Sequence, residues 1–242
     1  MLITAEQRGS LESLIDLAAR GRALRHEHDN PKEGPALQDL VTQHKEAEEQ
    51  KREAAEVVET FRTQVAECQT LTEKQNVQIK KKTDELNDGT GLTSRDLVNL
   101  QNEIAGHEER VAEIEESELG SMEELEAAES ALSEAESKLA EVTAAGRSTQ
   151  TSIKERKAEL ATQIDENSAA AQTLKAELPD ELVRQFENNI SQGGPGAAIL
   201  SGPNCQACGQ EIGGATWKSM LLEDPNQTYE CEECEAVLLR KG

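Results

Sequence analysis

The stretch LQDLVTQHKEAEEQKREAAEVVETFRTQVAECQTLTEKQNVQIKKKTDEL, residues 37–86, decides the fold. Steps of three and four from Leu37 reach Leu40, His44, Ala47, Lys51, Ala54, Val58, Phe61, Val65, Cys68, Thr72, Gln75, Ile79, Lys82 and Leu86. Ten of these fifteen positions are apolar, and the residues between them are mostly Glu, Gln, Lys, Arg and Thr. A disordered chain would not keep that step, whereas a narrow seam between two long helices requires it.

Asn87-Asp88-Gly89-Thr90-Gly91 interrupts the pattern with residues that tolerate turns and left-handed backbone, so the helix must stop there. Thr93, with Asp96 three residues later, reads as the N-cap of a second long helix starting near Ser94. Its seam opens with Leu97, Leu100, Ile104, Val111 and Ile114. A seven-residue series then runs from Leu125 through Leu132, Leu139, Gly146, Ile153, Leu160, Asn167 and Leu174. Between Ile114 and Leu125 the phase reads as slipped, which alters the winding of a coiled coil locally. With the turn centred near residue 90, position i of the first arm should face about 180 minus i of the second. Pro31-Lys32-Glu33-Gly34-Pro35 would then lie level with Gly146, and a hinge is expected near 30–35 and 146. Leu11, Leu14, Ile15, Leu17, Ala18 and Leu24 give the first arm an N-terminal helix facing the end of the second.

Composition agrees with this plan. Among 242 residues there are two Phe, one Tyr and one Trp, too few for an ordinary aromatic core, and 30% of the chain is charged. The formal net charge of −23 opposes nucleic acid and anionic membrane surfaces in bulk. No apolar run is long enough to span a bilayer, and Met1-Leu2-Ile3-Thr4-Ala5-Glu6 does not resemble a secretory signal, so a cytoplasmic protein without a membrane partner is expected.

The long helix should end at Leu178-Pro179, with a short helix from Pro179 through Phe186 to Ile190 and a linker at Ser191-Gln192-Gly193-Gly194-Pro195-Gly196. This divides the chain into a helical hairpin over 1–178 and a C-terminal unit over 179–242. The C-terminal unit carries the chemistry. Cys205-Gln206-Ala207-Cys208 and Cys231-Glu232-Glu233-Cys234 are two C-x2-C knuckles, a spacing that lets tight turns present four thiolates to one ion. Cys205, Cys208, Cys231 and Cys234 are therefore the candidate ligands of one structural Zn2+. Two disulfides or redox-active pairs are the competing reading, disfavoured in a cytosolic chain without a thioredoxin-like pattern. Strands near Ala197 to Leu200, Thr228 to Glu230 and Val237 to Leu239 complete a ribbon. Its apolar content is small, so the metal should supply much of its folding free energy.

Other candidates read more plainly. Cys68 is a small seam residue, His44 and His107 sit on different levels of the seam, and His26 and His28 point to different helix faces. Lys80-Lys81-Lys82 is a helix-end cluster, favourable near the C-terminal dipole. From Ser191 to Gly242 three cations (Lys218, Arg240, Lys241) meet seven anions (Glu211, Glu223, Asp224, Glu230, Glu232, Glu233, Glu235), a net of −4. That balance favours a protein partner over nucleic acid. No catalytic set, open metal position or phosphate-cradling loop is visible, so no enzyme activity is expected.

The chain resembles the bacterial family of coiled-coil proteins with a C-terminal C4-type zinc ribbon, for which nucleic-acid binding is one suggested role. The resemblance rests on Leu11-Glu12-Ser13-Leu14-Ile15-Asp16, on Asn99-Leu100-Gln101-Asn102-Glu103-Ile104 through Glu115-Glu116-Ser117-Glu118-Leu119 and Met122-Glu123, on Leu178-Pro179-Asp180-Glu181-Leu182, on the paired knuckles and on Val237-Leu238-Leu239-Arg240. It implies a mainly α fold, a kinked antiparallel coiled-coil hairpin with a small β zinc ribbon on Cys205, Cys208, Cys231 and Cys234. It also implies adaptor or chaperone roles toward transcription or secretion proteins, with RNA binding in some members. Glu235 stands where the family commonly has Gly after the second knuckle, so it must adopt a positive φ or reshape that turn.

Overall fold

The computed structural model describes residues 1–241. Its elements are α1 (Ala5–Asp29), α2 (Gly34–Asp88), α3 (Ser94–Ala176), α4 (Asp180–Ser191), β1 (Ala197–Leu200), α5 (Gly214–Leu222), β2 (Thr228–Glu230) and β3 (Val237–Arg240). They form two compact units, Pro35–Gln150 and Met1–Gly34 with Thr151–Gly242. Among the described residues no helix is long and apolar enough to cross a membrane.

The first unit is the antiparallel hairpin of α2 and the N-terminal part of α3. All fifteen seam positions from Leu37 to Leu86 are buried or half-buried, and only Ala55 and Thr83 join them between those ends. At the tip Gly89 and Gly91 take φ of 58° and 79°. Thr93 then caps α3 reciprocally, its N–H donating to Asp96 Oδ2 at 2.9 Å while its Oγ1 accepts from the Asp96 N–H at 3.3 Å. The Thr93 hydroxyl also donates to that carboxylate, and these bonds hold the Asp96 pKa below its ordinary value.

Two expectations about α3 need correction. No phase slip separates Ile114 from Leu125: the covered positions run 111, 114, 118, 121, 125 and 128, an unbroken alternation of three and four. Glu118 and Ser121 occupy the seam, whereas Leu119 and Met122 are 61% and 52% exposed. The register is also displaced from 180 minus i, since Lys51 meets Glu136 at 3.0 Å, Arg62 meets Glu129 at 2.9 Å, and Gln69 meets Glu118 at 2.9 Å. Gly146 therefore shares a groove with Leu40, Val41 and His44. Nor does α3 break at Gly146, because Gly lowers helix stability without removing a hydrogen bond. The helical interruption is confined to the first arm, between Asp29 and Gly34. A Cβ at Gly146 would meet nothing within 4 Å, so Gly146→Ala is expected to stabilise the hairpin by about 0.5–1 kcal/mol in urea unfolding.

In the second unit α1 starts with a capping box, Thr4 Oγ1 accepting from the Gln7 N–H at 3.2 Å and Gln7 Oε1 from the Thr4 N–H at 3.0 Å. It runs beside the C-terminal part of α3, where Arg156 Nε and Nη2 clasp Glu27 Oε1 at 2.9 and 2.8 Å. Buried Gly21 admits Asn167, a member of the expected heptad series, whose Nδ2 donates to the Leu17 carbonyl at 3.0 Å. A buried Asn at such a position fixes register at some cost in stability.

The three strands form one sheet in the order β1-β3-β2, β1 parallel and β2 antiparallel to β3. Its two faces serve different cores. Ala197, Val237 and Leu239 pack with Ile3, Leu11, Leu14, Leu178, Leu182 and Phe186. Ala198, Leu200 and Leu238 pack with Met220, Cys205 and Cys231. The sheet is thus a shared wall between a helical core and the cysteine knuckles.

Candidate metal centre

Both knuckles use one backbone design. In the first, the Gly209 N–H donates to the Cys205 carbonyl at 2.8 Å and the Cys205 N–H to the Gln210 carbonyl at 2.8 Å. In the second, the Glu235 N–H donates to Cys231 at 2.9 Å and the Cys231 N–H to Ala236 at 3.0 Å. The residue after each second cysteine must turn into the left-handed region, and Gly209 does so at φ 78°. Glu235 does so at φ 58°, the one described non-glycine residue with positive φ, and so keeps the turn rather than reshaping it. Its carboxylate accepts from Gln192 Nε2 at 3.3 Å, and from Asn188 Nδ2 at 3.4 Å, tying the strained residue to α4.

These turns bring together all four predicted ligands. The sulfurs of Cys205, Cys208, Cys231 and Cys234 lie within 4.8 Å of one another, close enough for a single metal ion to bind all four. Cys205 to Cys234 and Cys208 to Cys231 are each 3.9 Å apart, about twice a disulfide bond, and all are free thiols. Cys205 and Cys231 are buried, Cys234 is half-buried and Cys208 is exposed. Burial raises the Cys205 thiol and pushes Cys234 up to about 12. Burial acts in the same sense on Cys231, but the backbone N–H groups of Cys234 and Glu233 and neighbouring thiols outweigh it and lower that pKa.

No other predicted candidate joins the cluster. Cys68 is half-buried on the seam, His44 lies beside Glu48, and His107 contacts Gln75 Oε1 at 2.6 Å. Lys82 is paired with Glu103.

Three features escaped the sequence reading. Met1, Leu2 and Ile3 run antiparallel beside β2, the Ile3 N–H donating to Asn226 and the Thr228 N–H to Met1. The Arg8 guanidinium reaches the carbonyls of Pro225 and Arg240. Asn189, 2% exposed, donates through Nδ2 to the Cys234 carbonyl and accepts the Gly196 N–H on Oδ1 at 2.7 Å. Its signal was present: with Leu182 and Phe186 it lies on the apolar face of α4, where a polar residue demands a partner.

Comparison with known proteins agrees with this architecture. The chain is 29% identical over 244 aligned residues to the Mycobacterium tuberculosis protein Rv2229c, covering 98% of this chain and 96% of the relative. A solved structure from Mycobacterium smegmatis superposes with a TM-score of 0.81 at 24% identity over the full length of both chains. That of CT398 from Chlamydia trachomatis gives 0.65 at 13% identity over 98% of each. These two likenesses establish the fold. The four clustered cysteines lie beyond the family match, which covers residues 14–194, and on that match the chain belongs to the CT398-like coiled coil hairpin domain family.

Proposed function

We propose that the four cysteines hold one structural zinc ion, and that the protein is a non-enzymatic cytoplasmic scaffold or adaptor that binds other proteins. The transcription or secretion machinery is the class of partner implied by the family resemblance. Donor chemistry supports zinc: four thiolates at bonds of about 2.3 Å form a tetrahedron with edges of about 3.8 Å, and two of the sulfur pairs here are 3.9 Å apart. Four protein ligands leave no position for water or substrate, which makes the ion structural.

The partner class rests on one observation, the electrostatics of the C-terminal unit. The net −4 of residues 191–242, to which a tetrathiolate zinc adds further negative charge, opposes the phosphate contacts that dominate nucleic-acid affinity. Full-length protein is expected to contain one zinc per chain by elemental analysis. It should bind single- and double-stranded oligonucleotides no better than a scrambled acidic control, while cross-linking in cell extract yields protein adducts. Nucleic-acid binding that falls steeply with rising salt would replace this reading with a regulatory role on RNA or DNA, with Lys80, Lys81 and Lys82 as the first residues to test.

A further inference from the structure

Within the second compact unit, α1, the C-terminal part of α3 and α4 leave a groove of about 340 Å3, in the size range of ligand sites. Leu17, Ala18, Ala171, Phe186 and Ile190 supply apolar lining. Two cations stand on its rim in a chain with 48 acidic and 25 basic residues. Lys175 pairs with Glu187 at 2.8 Å, and Arg25 is exposed with no ion pair or hydrogen bond among the described residues. The local balance is therefore positive.

A second observation points to a ligand. Asn167 lines the same groove, is 9% exposed, and spends its Nδ2 on Leu17, but its buried Oδ1 has no hydrogen-bond partner. A buried acceptor left without a donor is costly and calls for one. Arg25 sits beside it: a Cβ at Gly21 would be 2.9 Å from Asn167 Nδ2 and 3.4 Å from Arg25 Nη1. An unpaired guanidinium next to a buried acceptor that lacks a donor, above an apolar floor, is complementary to three groups at once. These are a carboxylate, an N–H and a bulky apolar side chain. A peptide main chain supplies the N–H and carries the other two on adjacent residues.

We propose that this groove docks a peptide segment of a partner protein with an acidic residue next to a large apolar one. The carboxylate turns Arg25 outward, the backbone N–H takes Asn167 Oδ1, and the apolar side chain lies on Ala18, Ala171 and Ile190. This rests on the reading of the protein as an adaptor for other proteins, and names the chemistry of one contact.

The probe is a set of acetylated, amidated hexapeptides centred on Leu-Glu, Leu-Gln or Leu-Lys, titrated into zinc-loaded full-length protein and followed by 1H–15N NMR. Leu-Glu peptides are expected to bind about tenfold more tightly than Leu-Lys peptides, shifting Ala18, Ser168, Ala171 and Ile190. Arg25→Glu, at an exposed site that leaves the fold intact, should invert the preference, and Arg25→Lys should retain it. Equal binding of all three classes, shifts away from these residues, a preference unmoved by Arg25→Glu, or displacement by oligouridine would each overturn the proposal. Cross-linked protein partners captured equally by wild type and Arg25→Glu would overturn the groove while leaving the adaptor reading in place.

Discussion

Removal of zinc by a strong chelator at neutral pH is expected to unfold residues 197–240 while the hairpin of residues 35–150 keeps its helical circular dichroism. Zinc bound by four cysteines contributes roughly 10–16 kcal/mol to the folding of small domains, as much as a whole domain's usual net stability of about 5–15 kcal/mol. On its knuckle face the ribbon has little else, since the core there is Ala198, Leu200, Met220 and Leu238 beside two of the ligands. Cys231→Ser should have the same effect without chelator. The pH dependence has a definite sign. Zinc needs thiolates, and Cys205 and Cys234 are held above the ordinary thiol range, so metal uptake must release their protons. Apparent zinc affinity, and the stability it confers, are therefore present at neutral and higher pH and lost as pH falls. Amide-exchange protection at Cys205, Cys231 and Val237 that persists after complete metal removal would refute the expectation.

Asn189→Ala is the second large effect, about 2–6 kcal/mol in urea unfolding. The substitution strands two partners, the Cys234 carbonyl inside the knuckle and the Gly196 N–H before β1, and each unsatisfied group costs about 1–3 kcal/mol. Gly194 is adapted to this amide, for a Cβ there would stand 2.1 Å from Asn189 Oδ1. Asn189→Asp separates the two contributions. It keeps the acceptor for Gly196, loses the donor to Cys234 and places a negative charge beside the thiolates, so it should weaken zinc retention more than Asn189→Ala does. Equal stability of wild type and Asn189→Ala would show that the amide only fills space.

The seam of α2 was legible because a coiled coil buries by position, and position follows from the step of three and four whatever the residue. Lys51, Gln75 and Lys82 are half-buried like their apolar neighbours. The same rule explains the error at Ile114 to Leu125. There the series continues through the polar Glu118 and Ser121 while the apolar Leu119 and Met122 beside them are exposed, so apolar character and position part company. The knuckles and strands were legible because C-x2-C spacing and a β-branched or aliphatic run act locally. The pairing of Met1 to Ile3 with residues 226–228 joins opposite ends of the sequence, and no local pattern announces it. No capping side chain announces the helix α5, whose N-cap is Gly213, although Trp217, Met220 and Leu221 carry helical spacing.

The alternation along β3 gives adjacent residues separate duties. Val237 and Leu239 answer to the helices, and Leu238 between them answers to the knuckles. A run of three aliphatic residues that would pass for uniform padding is in fact a splice between two loyalties, and losing a single residue from it would exchange them. Damage on the thiolate side can thus travel across one peptide unit to the helical side, making this short strand the place where the two halves of the unit share their fate.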